Sequence, residues 1–64
     1  MKRYKIPILL KLIDVKPYDL LIIFNKYLFL VTEINPDHLV LYSLHDLSEE
    51  EMNIAVDTES INYF

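Results

Sequence analysis

Between Leu20 and Val31 the chain runs twelve residues with only two polar side chains, Asn25 and Lys26. The flanking runs, Leu20 to Phe24 and Tyr27 to Val31, are rich in β-branched and aromatic residues and do not alternate apolar with polar. A strand with one wet face alternates; a strand without alternation needs cover on both faces. A membrane-spanning helix takes about 20 predominantly apolar residues, so this ribbon is too short to be one. The whole chain has 64 residues, and a domain of that size buries only roughly 60% of its unfolded surface. One thin domain covers one face of such a hairpin well. The other face must meet the chain's own helix and N-terminal arm, a second copy, or a target protein.

Composition narrows the class further. Ile, Leu, Val and Phe supply 26 residues, far too many for a disordered chain. There is no cysteine, which excludes a disulfide framework and a thiolate metal site, and two histidines make a poor basis for structural zinc. The core must carry the fold, helped by self-association. The basic start, Met1-Lys2-Arg3-Tyr4-Lys5, is followed by apolar residues, but Pro7, Lys11, Asp14 and Lys16 interrupt them and no small-residue cleavage site follows. The expectation is a single soluble domain over residues 1–64, cytoplasmic and with no membrane contact.

Charge is divided along the chain. Residues 1–32 hold all six basic side chains and two acids, whereas residues 33–64 hold eight acids and no Lys or Arg. If the halves separate in space the surface is polarised; a fold that interleaves them blunts the effect. The abundance of Ile, Asn, Lys and Tyr points to AT-rich coding, a composition that fits a bacteriophage or mobile element.

Lys5 to Val15 is strand-like but irregular, with Pro7 marking an edge strand or an extended arm. Lys16-Pro17-Tyr18-Asp19 is a turn, since Pro presets φ and Asp can bond back to the backbone. Leu20–Phe24 and Tyr27–Ile34 form a hairpin about Asn25-Lys26. Asn35-Pro36-Asp37 turns into a third strand, Leu39–Tyr42. Ser48-Glu49-Glu50-Glu51 fits a capping box, with Leu47 and Met52 at the staple positions, so a helix starts at Ser48. One or two turns are expected, then a strand over Ile54–Asp57, a turn near Asp57–Ser60 and a closing strand at Ile61–Phe64.

The fold class is therefore mainly β: about five strands with one short helix near 48–53. Across residues 15–44 the spacing VKPYDLLII, YLFLVTEI, HLVLYSL resembles the small SH3-like or KOW-like barrel, and a plain β-meander is the other form of the same order. Such barrels often place glycine in the turn where Tyr18 stands. This chain has no glycine, so closing a barrel requires bends supplied by Asn and Asp. Separately, Met52-Asn53-Ile54-Ala55-Val56 resembles the first motif of the Sm-like RNA-binding proteins, which implies that Asn53 touches a base. The glycine-containing second motif is absent, and the region is acidic.

Chemistry-bearing constellations are few. Asp37-His38 and His45-Asp46, with Glu49 four residues after His45, pair imidazole with carboxylate but lack ligand spacing on one face. Ser43 precedes His45 by two residues, yet a chain without glycine has no nucleophile elbow and no phosphate cradle. No enzyme activity, cofactor or metal is expected. Two charged surfaces remain. Lys2, Arg3, Lys5, Lys11, Lys16 and Lys26, interleaved with Tyr4, Tyr18 and Tyr27, suit a nucleic-acid groove, or guard an edge strand. Asp46, Glu49, Glu50, Glu51, Asp57 and Glu59 suit the basic groove of a nucleic-acid-handling protein.

These readings converge on a non-enzymatic protein–protein interaction module, an inhibitor or adaptor that occupies a partner's surface by steric contact. Its expected contact residues are Phe24, Tyr27 and Phe29 from the hairpin and Asp46, Glu49, Glu50, Glu51, Asp57 and Glu59 from the acidic half. The partner is a second copy in a homodimer, a basic nucleic-acid-handling protein, or both. The alternative is a nucleic-acid-binding small barrel that uses the basic N-terminal half.

Overall fold

The computed structural model describes all 64 residues. Strand β1 covers Lys2–Pro7, a 3₁₀ turn covers Leu10–Leu12, and β2, β3 and β4 cover Leu20–Ile23, Tyr27–Ile34 and His38–Ser43. Helix α1 spans Glu49–Asp57 and β5 spans Ile61–Tyr63. One antiparallel sheet holds all five strands in the order β1-β4-β3-β2-β5. The expected meander is its centre, β1 adds beside β4, and β5 adds beside β2. The fold is mainly β and barrel-like in shape, 24 × 24 × 20 Å, but β1 and β5 remain the two open edges of the backbone ladder.

The N-terminal segment is not one irregular strand from Lys5 to Val15. The ladder begins at Lys2 and stops at Pro7, whose ring removes the next donor. Beyond it the chain coils with a period of three. Leu12 and Val15 enter the core and Leu9 packs against it, while Leu10 and Ile13 stay in water.

Left-handed backbone is needed at several bends, and without glycine bulky residues supply it. Tyr18 (φ 72°), Phe24 (55°), Asn25 (56°) and Glu59 (52°) all have positive φ. The Lys16–Asp19 turn has Pro17 second and left-handed Tyr18 third, the pattern of a type II turn. Tyr18 thus keeps the conformation that the barrel pattern assigns to glycine. The hairpin turn lies one residue earlier than Asn25-Lys26. Phe24 and Asn25 form its left-handed centre, closed by the Lys26 N–H donating to Ile23 O at 3.1 Å. Phe24 tolerates this because its N–H donates to Ser60 O at 2.9 Å and its ring packs on the core. Asn and Asp therefore supply only one of the four left-handed positions.

Helix α1 starts as the sequence implies. The Glu51 N–H donates to Ser48 Oγ at 3.1 Å, and the Ser48 N–H donates to Glu51 Oε1 at 2.9 Å. It runs on through Asp57, so no strand forms over Ile54–Asp57. Met52 and Ala55 are buried and Val56 is half-buried, the i, i+3, i+4 spacing of a helix lying on a core. Its end is a Schellman motif: Ser60 N–H donates to Ala55 O at 2.9 Å and Glu59 N–H to Val56 O at 3.1 Å.

Register separates the two faces of the sheet. Tyr4, Ile6, Leu21, Ile23, Phe29, Val31, Leu39, Leu41 and Ile61 point inward and form one cluster with Leu12, Val15, Leu47, Met52 and Ala55. Helix α1 and the 9–15 segment thus cover the inner face. The molecule's surface of 4314 Å² matches the about 4,300 Å² expected of a compact monomer of this mass.

Replacing the left-handed residues with glycine removes a Cβ clash of about 1–2 kcal/mol, partly offset by glycine's greater freedom when unfolded. Tyr18→Gly and Glu59→Gly should each raise stability by about 1 kcal/mol, several degrees in a thermal melt for a domain this small. A lower melting temperature for both variants would contradict the strain argument.

Candidate interaction surface

The outer face carries the other half of the ribbon. Leu20 stands opposite Leu30, Leu30 opposite Tyr42, and Tyr42 opposite Arg3, a row that crosses four strands. Phe64 extends it: its N–H donates to Leu20 O at 3.1 Å, and the pairing of Tyr63 with Leu21 places it opposite Leu20. A second row joins Asn62, Ile22 and Leu28. Leu20, Leu28 and Phe64 are 43%, 39% and 73% exposed, while Ile22, Leu30 and Tyr42 are half-buried. No element of the chain lies over them.

Polar groups confine this patch to one end. A bulge between Val31 and Glu33 re-aims β3, and Thr32 Oγ1 donates to Val40 O at 3.3 Å. Glu33 then shares the outer face with Arg3, and the two approach to 3.8 Å across β4. Val40 lies beneath this side of the sheet, 1% exposed yet outside the main core cluster. Apart from Glu33, the strands place no acidic side chain on this face.

The acidic set lies elsewhere. Glu49, Glu50 and Glu51 occupy the first turn of α1, where they complement the helix dipole and Glu51 completes the capping box. Asp57 ends the helix and Glu59 sits in the Schellman turn. Asp46 accepts from Lys2 Nζ at 2.8 Å, and Lys2 also reaches Leu47 O at 3.2 Å. That bond holds the Asp46 carboxyl below its ordinary range and lifts the Lys2 ammonium above its own. The small stabilisation from this exposed pair is therefore present near neutral pH. It is lost as pH falls through the depressed Asp46 value, or rises through the raised Lys2 value.

The aromatic positions divide. Phe29 is 1% exposed and packs on Tyr4 with ring centroids 5.1 Å apart, so it belongs to the core and not to a contact surface. Tyr27 is half-buried and meets His45 edge-on at 4.9 Å, and half-buried Phe24 sits at the hairpin tip. The structure thus brings none of the three into the outer row. Unbroken apolar runs conceal which alternate residues face outward. The polar ends of the two rows, Arg3 and Asn62, carry the phase, but only once the strands are paired.

The remaining chemistry-bearing groups have local partners. Asp37 Oδ1 lies 2.7 Å from His38 Nδ1, and His38 Nε2 lies 3.1 Å from Asn35 Nδ2. The hydrogen bond from His38 holds the Asp37 carboxyl below its ordinary value. Ser43, the one buried polar residue, donates to Leu28 O at 2.8 Å and accepts from the His45 N–H at 3.1 Å. No three His, Cys, Asp or Glu side chains converge, and no helix is long and apolar enough to cross a membrane. The basic side chains disperse: Lys2, Arg3 and Lys5 on β1, Lys26 over the Tyr27 ring, and Lys11 donating to Glu59 O at 2.8 Å. Compared with known proteins, the chain matches no family model, no curated protein and no solved structure.

Tyr4 joins β1 to the loop before α1. Its hydroxyl donates to His45 O at 2.8 Å and accepts from the buried Leu47 N–H at 2.9 Å. Tyr4→Phe leaves that N–H without a partner and should destabilise the fold by about 1–3 kcal/mol. Urea unfolding checks this; an unchanged midpoint would show that the bridge contributes nothing.

Proposed function

We propose that the protein is an interaction module whose outer sheet face joins a second copy of itself. The observation that carries this reading is the uncovered row Phe64–Leu20–Leu30–Tyr42, with Ile22 and Leu28 beside it. Patches of this kind on small proteins mark interfaces. Of the faces open to a like copy, electrostatics opposes this one least. Each chain carries a net charge of −4, and α1 with its three leading glutamates covers the opposite, inner face. Face-to-face pairing through the outer rows keeps the two acidic helices apart. The Arg3 and Glu33 rim gives a two-fold arrangement both signs of charge to pair across the contact.

Size sets the demand. A standard interface takes about 800 Å² from each partner, roughly a fifth of this chain's 4314 Å². That is most of one face, and the outer sheet is the face free of unpaired acid. Burying a leucine fully is worth about 1.5–3 kcal/mol relative to full exposure. Partly exposed Leu20 and Leu28 therefore supply only part of the affinity, and Phe64 contributes the largest newly buried area.

Light scattering or sedimentation at increasing concentration should give twice the 7.7 kDa chain mass. Leu28→Lys and Leu20→Lys should each shift the equilibrium to monomer by about tenfold or more, as expected for a charge placed in an apolar contact. Leu10→Lys, on the 3₁₀ turn, should leave it unchanged. A wild-type chain that stays monomeric at high concentration would reject self-association.

A further inference from the structure

The free edge of β1 borders a groove flanked by helix α1. A cavity of about 340 Å³ is lined by four consecutive β1 residues, Lys2, Arg3, Tyr4 and Lys5, and by Leu47, Glu49, Met52 and Asn53. Consecutive strand residues point to opposite faces, so a cavity touching all four lies against the strand's edge. Strand β4 occupies the other edge, which leaves this one. Its far wall is α1, where Glu49, Met52 and Asn53 share one helical face. No backbone group of β1 bonds outside its ladder with β4. A bare strand edge facing a helix is the geometry in which extended peptides add to a sheet.

Charge selects the occupant. Arg3 and Lys5 both stand on the outer side of β1. Lys5 makes no ion pair, and Arg3 reaches Glu33 only at 3.8 Å. Two β1 strands pairing antiparallel about Tyr4 would set Arg3 opposite Lys5, so a second copy is repelled here. The geometry points to an extended acidic peptide of alternating pattern, bound as a sixth strand along the free edge of β1 and flanked by α1. Its carboxylates lie beside Arg3 and Lys5, and its intervening apolar side chains lie over Tyr4 and Met52. Glu49 is the one acidic wall residue and weakens the contact.

The test uses a blocked, fluorescent hexapeptide of alternating glutamate and valine, titrated at low salt into the full chain while its amide resonances are followed. Saturable binding with shifts concentrated on residues 2–7 and 49–53 is expected. Arg3→Glu combined with Lys5→Glu should weaken binding by about tenfold or more, and Glu49→Gln should strengthen it severalfold. The same peptide N-methylated on alternate residues keeps its charge but loses its edge-facing donors, and it should not bind. Equal binding of the methylated peptide, equal binding of a lysine–valine hexapeptide, or absence of binding would each overturn the proposal. So would tighter binding of a single-stranded oligonucleotide at the same residues. Self-association is read separately by light scattering, so loss of either property leaves the other standing.

Discussion

A five-stranded sheet has two faces, and this chain has material to cover one. Helix α1 and the coiled 9–15 segment both go to the inner side, where they complete a cluster of 14 buried residues. That allocation determines the rest. It leaves the outer rows open, and it puts the acidic first turn of α1 on the opposite side of the molecule. It also sets α1 beside β1, creating a groove where a closed barrel would have a strand pair. The apolar half of the ribbon that water still reaches is the remainder of this arrangement, and the proposed dimer follows from it.

The turns show how a chain without glycine still makes tight bends. Three of the four left-handed residues, all but Asn25, are held by something besides their own torsional preference. Phe24 is bonded to Ser60 and packed on the core, and Glu59 is fixed by its own N–H bond to Val56 O and the adjoining Ser60 N–H bond to Ala55 O. Tyr18 N–H donates to Val31 O at 2.6 Å, which ties its turn to the middle of β3. Backbone strain of about 1–2 kcal/mol is thus offset by long-range contacts at Tyr18 and Phe24 and by the helix-end bonds at Glu59. The bends at Tyr18 and Phe24 form as part of the whole fold and have little reason to form alone.

Much of the architecture was legible because local chemistry and tertiary packing agree. The meander, the Asn35–Asp37 turn and the start of α1 at Ser48 follow from turn residues and a capping box that operate within a few positions. The departures share a different cause. Continuation of α1 through Asp57 depends on Ala55 finding the core, and Ile54-Ala55-Val56 alone suits either element. The one-residue displacement of the hairpin depends on Ser60, far away in sequence. Of the proposed surfaces, the apolar ribbon itself was evident, but its outward phase was not. Residues on opposite faces look alike where every position is apolar, so Phe29 reads as a contact residue until pairing buries it. The β1–α1 groove was hidden as well, because it joins residues more than forty positions apart.

Those long spans bear on how the molecule is assembled. Lys2 pairs with Ser43 in the ladder, and its ammonium reaches Asp46, 44 residues along the chain. The Tyr4 hydroxyl then orients the segment that leads into the helix. The first strand therefore has no partner until nearly two thirds of the polypeptide has been organised, and contacts so distant slow the search for the native state. Until that strand docks, one edge of β4 is bare and α1 lacks one of its supports. Detachment of β1 would reverse the same step, making it a natural unit of partial opening in the otherwise intact molecule.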